Sequence, residues 1–99
     1  MSLVSDWPDA EWCPVSSALS YVQISKCPVV SGGFDPLHVG HLEYIERAAA
    51  LGNGKVVVIL NKDTWLKRKK GYVFMPERER AKILVAIWCV ALVVPWDDG

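Results

Sequence analysis

No stretch of this 99-residue sequence reaches the roughly 18 consecutive apolar residues that a membrane-spanning helix requires. The N-terminus also lacks the basic start and apolar run of a secretion signal. Cysteine is sparse: Cys13, Cys27 and Cys89 are odd in number, far apart and without a CxxC pair. That pattern fits a reducing compartment better than a disulfide framework, reads as free thiols and makes the cytoplasm the expected compartment. Net charge is absent as well, with 11 basic residues against 11 acidic ones, so no bulk field draws the chain to nucleic acid or an acidic membrane. Only two histidines occur, His38 and His41, and they stand three residues apart.

What is present in quantity is apolar: 52% of residues, against 22% charged, in a chain long enough for one domain with a buried core. Charge is unevenly spread. Between Lys62 and Lys82 there are eight basic residues and three acidic ones, and Lys67-Arg68-Lys69-Lys70 is the only biased run. Residues 1–26, with Trp7-Pro8, Cys13-Pro14 and scattered serines, show no sustained period and read as an appended, partly disordered arm. Within it, Leu19 to Ile24 is expected to add an edge strand.

Residues 27–99 are regular. Cys27-Pro28 delays the first strand to Val29, from which Val29 to Ser31 runs into Gly32-Gly33. Val39 to Leu51 follows as a helix with Leu42, Ile45 and Ala49 on one face, stopped by Gly52 in a left-handed cap. Lys55 to Leu60 and Trp88 to Val94 are continuous apolar runs of the kind buried on both faces of a parallel sheet. Between them the sequence predicts a basic loop, Asn61 to Gly71, and a helix opening at Pro76, with Glu77 and Glu79 at its positive end and Ala81, Leu84, Ile87 and Trp88 as its apolar stripe. The order β-α-β-loop-α-β, with right-handed crossovers, is a Rossmann-like three-layer α/β fold whose ligands lie beyond the carboxyl ends of the strands.

Ser31 to His41 carries the candidate chemistry. Gly32 and Gly33, without Cβ atoms, let backbone approach a ligand at the strand end. Free N–H groups and the dipole of the following helix attract phosphate there, and two imidazoles can donate to phosphoryl oxygens as charge builds. Gly40 between them leaves room for a base or ribose. An HxxH pair can also hold zinc, but no cysteine or carboxylate lies at a familiar spacing, so no metal ligand set is assigned. An isolated HxxH is as readily a surface histidine beside a core one, and an isolated basic quartet a solvated surface or a nucleic-acid patch. Asp35 can serve as a turn residue bonded to backbone amides, Arg80 can pair with Glu77, and Trp65 and Trp88 read as core.

Gly33-Phe34-Asp35-Pro36-Leu37-His38-Val39-Gly40-His41 resembles the HxGH signature of the cytidylyltransferase-like nucleotidyltransferases, a family that includes glycerol-3-phosphate cytidylyltransferase and heptose-phosphate adenylyltransferase. Asn61-Lys62-Asp63-Thr64-Trp65, the lysine run with Gly71, Met75-Pro76 with Glu79-Arg80, and Val90 to Val94 before Asp97-Asp98 resemble its later segments. The resemblance implies transfer of CMP or AMP from CTP or ATP to a phosphorylated small molecule, such as a sugar or polyol phosphate, with release of pyrophosphate. It implies catalytic roles for His38, His41, Lys67 and Lys70, the lysine acting as a mobile cation. It also implies nucleotide contacts from Gly32, Gly33, Phe34, Asp35, Gly40 and Arg80 and Mg2+ carried on the nucleotide phosphates. Composition and charge predict no membrane or nucleic-acid partner, and a sheet edge without its further strands predicts a homodimer.

Family members normally continue through further strand–helix units to an Ile-Ser-Ser/Thr-Thr-type motif, which this sequence lacks. The chain is therefore expected to be a fragment, or a minimal chain completed by dimer contacts. Two other readings follow: a nucleotide-binding module without turnover, and a nucleic-acid-binding protein that uses Lys67 to Lys70.

Overall fold

The computed structural model describes residue 20 and residues 22–96. Three strands, β1 (Val29–Gly32), β2 (Val56–Asn61) and β3 (Val90–Trp96), alternate with helices α1 (Val39–Leu51), α2 (Asp63–Lys70) and α3 (Glu77–Val85). Both strand pairings are parallel and the order is β1-β2-β3, with Val29 opposite Val57 and Val58 opposite Val93. The α/β expectation therefore holds. β2 lies in the middle, and its Val56, Val57, Val58 and Leu60 are almost wholly buried, as an unbroken apolar run requires.

Pleating sends Val56, Val58 and Leu60 to one face, where Ile45 and Ala49 of α1 join Ala81 and Leu84 of α3 in a single core. Val57 turns to the other face with Leu92, Val94 and Cys27, against which Val22 packs. Pro95 is tolerated because β3 is an edge of the described sheet. Among the described residues no helix is long and apolar enough to cross a membrane.

Four sequence expectations need correction. Residues 22–25 are helical rather than an edge strand: the Lys26 amide donates to the Val22 carbonyl at 2.8 Å, and Lys26 then leaves the helix at φ 58°. The rest of the 1–26 arm lies outside the described residues apart from Ser20. The basic loop is helix α2. Asp63 occupies its first turn, four cations fill its last, and Gly71 closes it at φ 85°, each favourable to the helix dipole and its cap. Trp88 is largely exposed rather than core, because α3 ends at Val85 and the 3.6-residue phase does not reach it; its indole N–H is directed at Glu46 Oε2, 3.4 Å away.

The fourth correction is Gly52, which is not left-handed (φ −118°). Glycine is needed there because a Cβ would stand 2.4 Å from both Cγ and Cδ of Pro28, a rigid ring at the entry to β1. Gly52→Ala should cost roughly 1–3 kcal/mol, the usual range for overpacking. An unchanged urea midpoint would disprove that steric account.

Candidate active site

The site forms where the carboxyl ends of β1 and β2 meet the start of α1. His38 is the N-cap of α1, with extended backbone (φ −151°, ψ 178°), and its Nδ1 accepts the Gly40 amide at 3.0 Å. In return the His38 amide donates to Nδ1 of His41 at 3.3 Å. The two histidines thus build a reciprocal capping box, satisfying two amides that a helix start leaves orphaned. A chemical consequence follows. An Nδ1 that accepts a backbone N–H carries no proton, so each neutral ring holds its proton on Nε2 and can donate only there.

The ring centroids lie 4.0 Å apart. Burial, and secondarily the neighbouring His38, holds the His41 pKa below the ordinary histidine value, which keeps this ring neutral near pH 7. Gly40 is explained by the same cap: a Cβ there would stand 2.8 Å from Cε1 of His38. The space expected for a base or ribose is filled by that imidazole.

Phe34 is buried at φ 51°, a left-handed conformation uncommon for a bulky residue, and its ring edge meets His41 at 5.1 Å. Gly32 accommodates the Phe34 ring, which would lie 3.2 Å from a Cβ at position 32. Gly33 lies against Leu66 of α2, leaving only 2.9 Å for a Cβ. The glycine pair therefore serves close packing of this loop.

The Asp35 carboxylate is 1% exposed and is fully engaged within the protein. Its Oδ2 accepts the Phe74 amide at 2.8 Å and its Oδ1 accepts the Met75 amide. Lys70 Nζ sits 3.1 Å from Oδ2, donates to the Asp35 carbonyl at 3.0 Å, and lies 4.7 Å from the Tyr72 ring centroid. Burial alone would raise this carboxyl, but the two amides and the Lys70 ammonium together hold it below the usual carboxylate range.

Because both Asp35 and His41 have depressed values in the folded state, each adds stability that is present at high pH and lost on acidification. For His41 the loss starts as pH falls below the unfolded histidine value of about 6.5, and for Asp35 below about 4. Asp35→Asn should therefore flatten the lower limb of a stability–pH curve and leave the upper one. Parallel curves for the variant and the parent would refute the assignment.

Arg80 is the buried charge of this region, with no exposed surface. It neither pairs with Glu77 nor lines the cleft. Its Nε donates to the Met75 carbonyl and one terminal nitrogen to the carbonyls of Gly33 and Asn61, each at 2.7 Å, while the other reaches Asp63 Oδ1 at 2.6 Å. One side chain thus ties together the ends of β1 and β2, the start of α2 and the segment before α3. Glu77 turns instead to the start of α2, accepting the Asp63 amide at 2.7 Å. The nucleotide contact expected of Arg80 is replaced by a bracing role.

An open cleft of about 340 Å3 results, lined by His38 and His41 from the start of α1 and by Trp65, Lys69 and Lys70 of α2. Gly33, Phe34 and Asp35 line it too, but Gly32, Gly40 and Arg80 do not. Lys67, expected to be catalytic, is exposed on α2 away from the cleft lining, its carbonyl accepting the Gly71 amide. A helix in place of a loop exchanges it for Lys69, four residues from Trp65 and so on the same face. Sequence reasoning missed Trp65 and Lys69 because that helix was not anticipated. Among the described residues no three His, Cys, Asp or Glu side chains come together to hold a metal.

The family model described as cytidylyltransferase-like matches residues 29–98, which contain all of this architecture. The chain belongs to the cytidylyltransferase-like family. Its similarity to the bifunctional protein HldE of Syntrophotalea carbinolica is 43% identity over 70 residues, 69% of this chain but 14% of that protein. HldE of Helicobacter pylori is 36% identical over 87 residues, covering 86% of this chain and 19% of the relative. The FAD synthase of Pyrococcus abyssi is 39% identical over 71 residues, 72% of this chain and 48% of its own length. The chain thus spans less than a fifth of these HldE relatives and about half of the FAD synthase. The crystal structure of a lipopolysaccharide core biosynthesis protein from Thermoplasma volcanium superposes with a TM-score of 0.65 at 24% identity, over 72% of this chain and 57% of that one. That likeness concerns the fold.

Proposed function

We propose that this cytidylyltransferase-like domain transfers a nucleoside monophosphate, CMP or AMP, from CTP or ATP to a phosphorylated small molecule and releases pyrophosphate. An oxygen of the acceptor phosphate attacks the α-phosphorus as the bond from that phosphorus to the pyrophosphate oxygen breaks. No covalent enzyme intermediate is required, so the protein has to position two anions and neutralise charge. The observation that carries the reading is the pair of imidazoles, locked by their own cap as Nε2 donors, lining the same cleft as Lys69 and Lys70.

Donors fixed before the substrate arrives need no reorganisation when charge develops in the transition state. Lys70 would leave Asp35 for the phosphates, a short movement for a flexible ammonium. Magnesium belongs to the proposal as an ion carried on the phosphates and neutralising them, since the carboxylate of the cleft, Asp35, is already occupied by two amides and a lysine. The nucleic-acid alternative is weakened because the basic run is not a uniform free patch: the Lys70 ammonium is taken by Asp35 and that of Lys69 lies over Trp65.

Steady-state pyrophosphate release by the full chain, with CTP or ATP and a panel of phosphate monoesters, tests the proposal. Release dependent on both substrates supports it. Nucleotide binding without release for any pair of substrates would reduce the chain to a binding module.

A further inference from the structure

The α2 wall of the cleft contains two groups that nucleotidyl transfer does not by itself require. Trp65 is half-buried and lines the cleft, and Lys69, one helical turn on, places its Nζ 5.7 Å from the indole centroid. Lys70 beside it is neutralised by Asp35, whereas Lys69 meets only this ring among the described residues. The Lys69 ammonium lies over the indole and is exposed, so it can swing aside; the uncovered indole then offers dispersion to a flat ring and the ammonium Coulombic attraction to an anion.

We propose that Trp65 and Lys69 form the acceptor subsite, and that it selects a phosphate monoester carrying a planar aromatic ring over an aliphatic polyol phosphate. The ring stacks on Trp65, and Lys69, swung off the indole, holds the phosphate within the cleft that the imidazoles also line. This rests on the transfer reading above for the word acceptor, but the subsite is defined by binding alone. It narrows the sugar or polyol phosphate expected from the sequence to a class with a ring to stack. Trp65 becomes a specificity-determining residue, for which neither the HxGH signature nor the lysine run accounts.

Calorimetric titration of the full chain with 1-naphthyl phosphate and with glycerol 3-phosphate isolates the ring, because both present the same phosphate dianion. The naphthyl ester should bind at least tenfold more tightly. Trp65→Leu, which keeps apolar bulk, should abolish that preference while leaving glycerol 3-phosphate affinity within twofold, and Trp65→Phe should restore most of it. Lys69→Gln should weaken both esters alike. Equal affinity for the two esters, equal losses in Trp65→Leu, or no binding of either would overturn the subsite. The two proposals fail separately: a naphthyl preference without pyrophosphate release leaves the subsite standing, and release without a Trp65-dependent preference leaves only the transfer reading.

Discussion

Arg80→Met is expected to lower stability by about 3–5 kcal/mol, the range for removing one partner of a buried charge network. That is a large part of the total for a domain of this size, commonly about 5–15 kcal/mol. The loss is not chiefly the ion pair, since the Asp63 side chain is 30% exposed and can rehydrate. Three backbone carbonyls, of Gly33, Asn61 and Met75, lose their 2.7 Å donors together in a site with no exposed surface. Methionine fills the space without supplying one donor. Arg80→Lys should recover less than half of the loss, because one ammonium cannot reproduce a planar fork aimed at four acceptors. Urea denaturation at constant m-value measures both, and a loss under about 1 kcal/mol for Arg80→Met would contradict the bracing role.

His41→Gln is expected to cut turnover by about a hundredfold to a thousandfold, the effect of losing one preorganised donor to developing charge. The nucleotide KM should change far less, because the contact strengthens only in the transition state. Glutamine is the informative replacement, since a Gln at the third helical position can still accept the His38 amide and keep the capping box closed. Its urea midpoint at pH 7 should therefore stay near that of the parent. It should also erase the upper limb of the stability–pH curve, which arises from the depressed His41 pKa. Equal losses in affinity and turnover would remove His41 from the transition state.

Most of the scaffold could be read from local pattern. The span of α1, Val39–Leu51, agrees residue for residue with the periodicity, while β2 and β3 lie one or two residues downstream of the apolar runs that announce them. The two histidines were legible because their spacing and the glycines ahead of them are local features. The errors share a cause. Helix α2 buries only Leu66, so no apolar stripe marks it, although Asp63, the terminal cations and Gly71 all favour a helix there. The role of Arg80 depends on carbonyls as far away as Gly33, 47 positions earlier, and backbone acceptors leave no trace in side-chain identity. Asp35 belongs with it: its amide partners, Phe74 and Met75, meet it only after the chain has completed β2 and α2. Trp65 could be assigned to the cleft only once α2 had given it a direction.

The reciprocal cap at the start of α1 ties two selective pressures to the same pair of side chains. A relative of this fold without turnover would still need acceptors for the amides of His38 and Gly40, and these imidazoles supply them. Relics of the fold would thus retain the histidines longer than the chemistry. Loss of activity along a lineage would show first at Lys69, which is exposed and meets only the Trp65 ring among the described residues, whereas Lys70 is held by the buried Asp35 carboxylate.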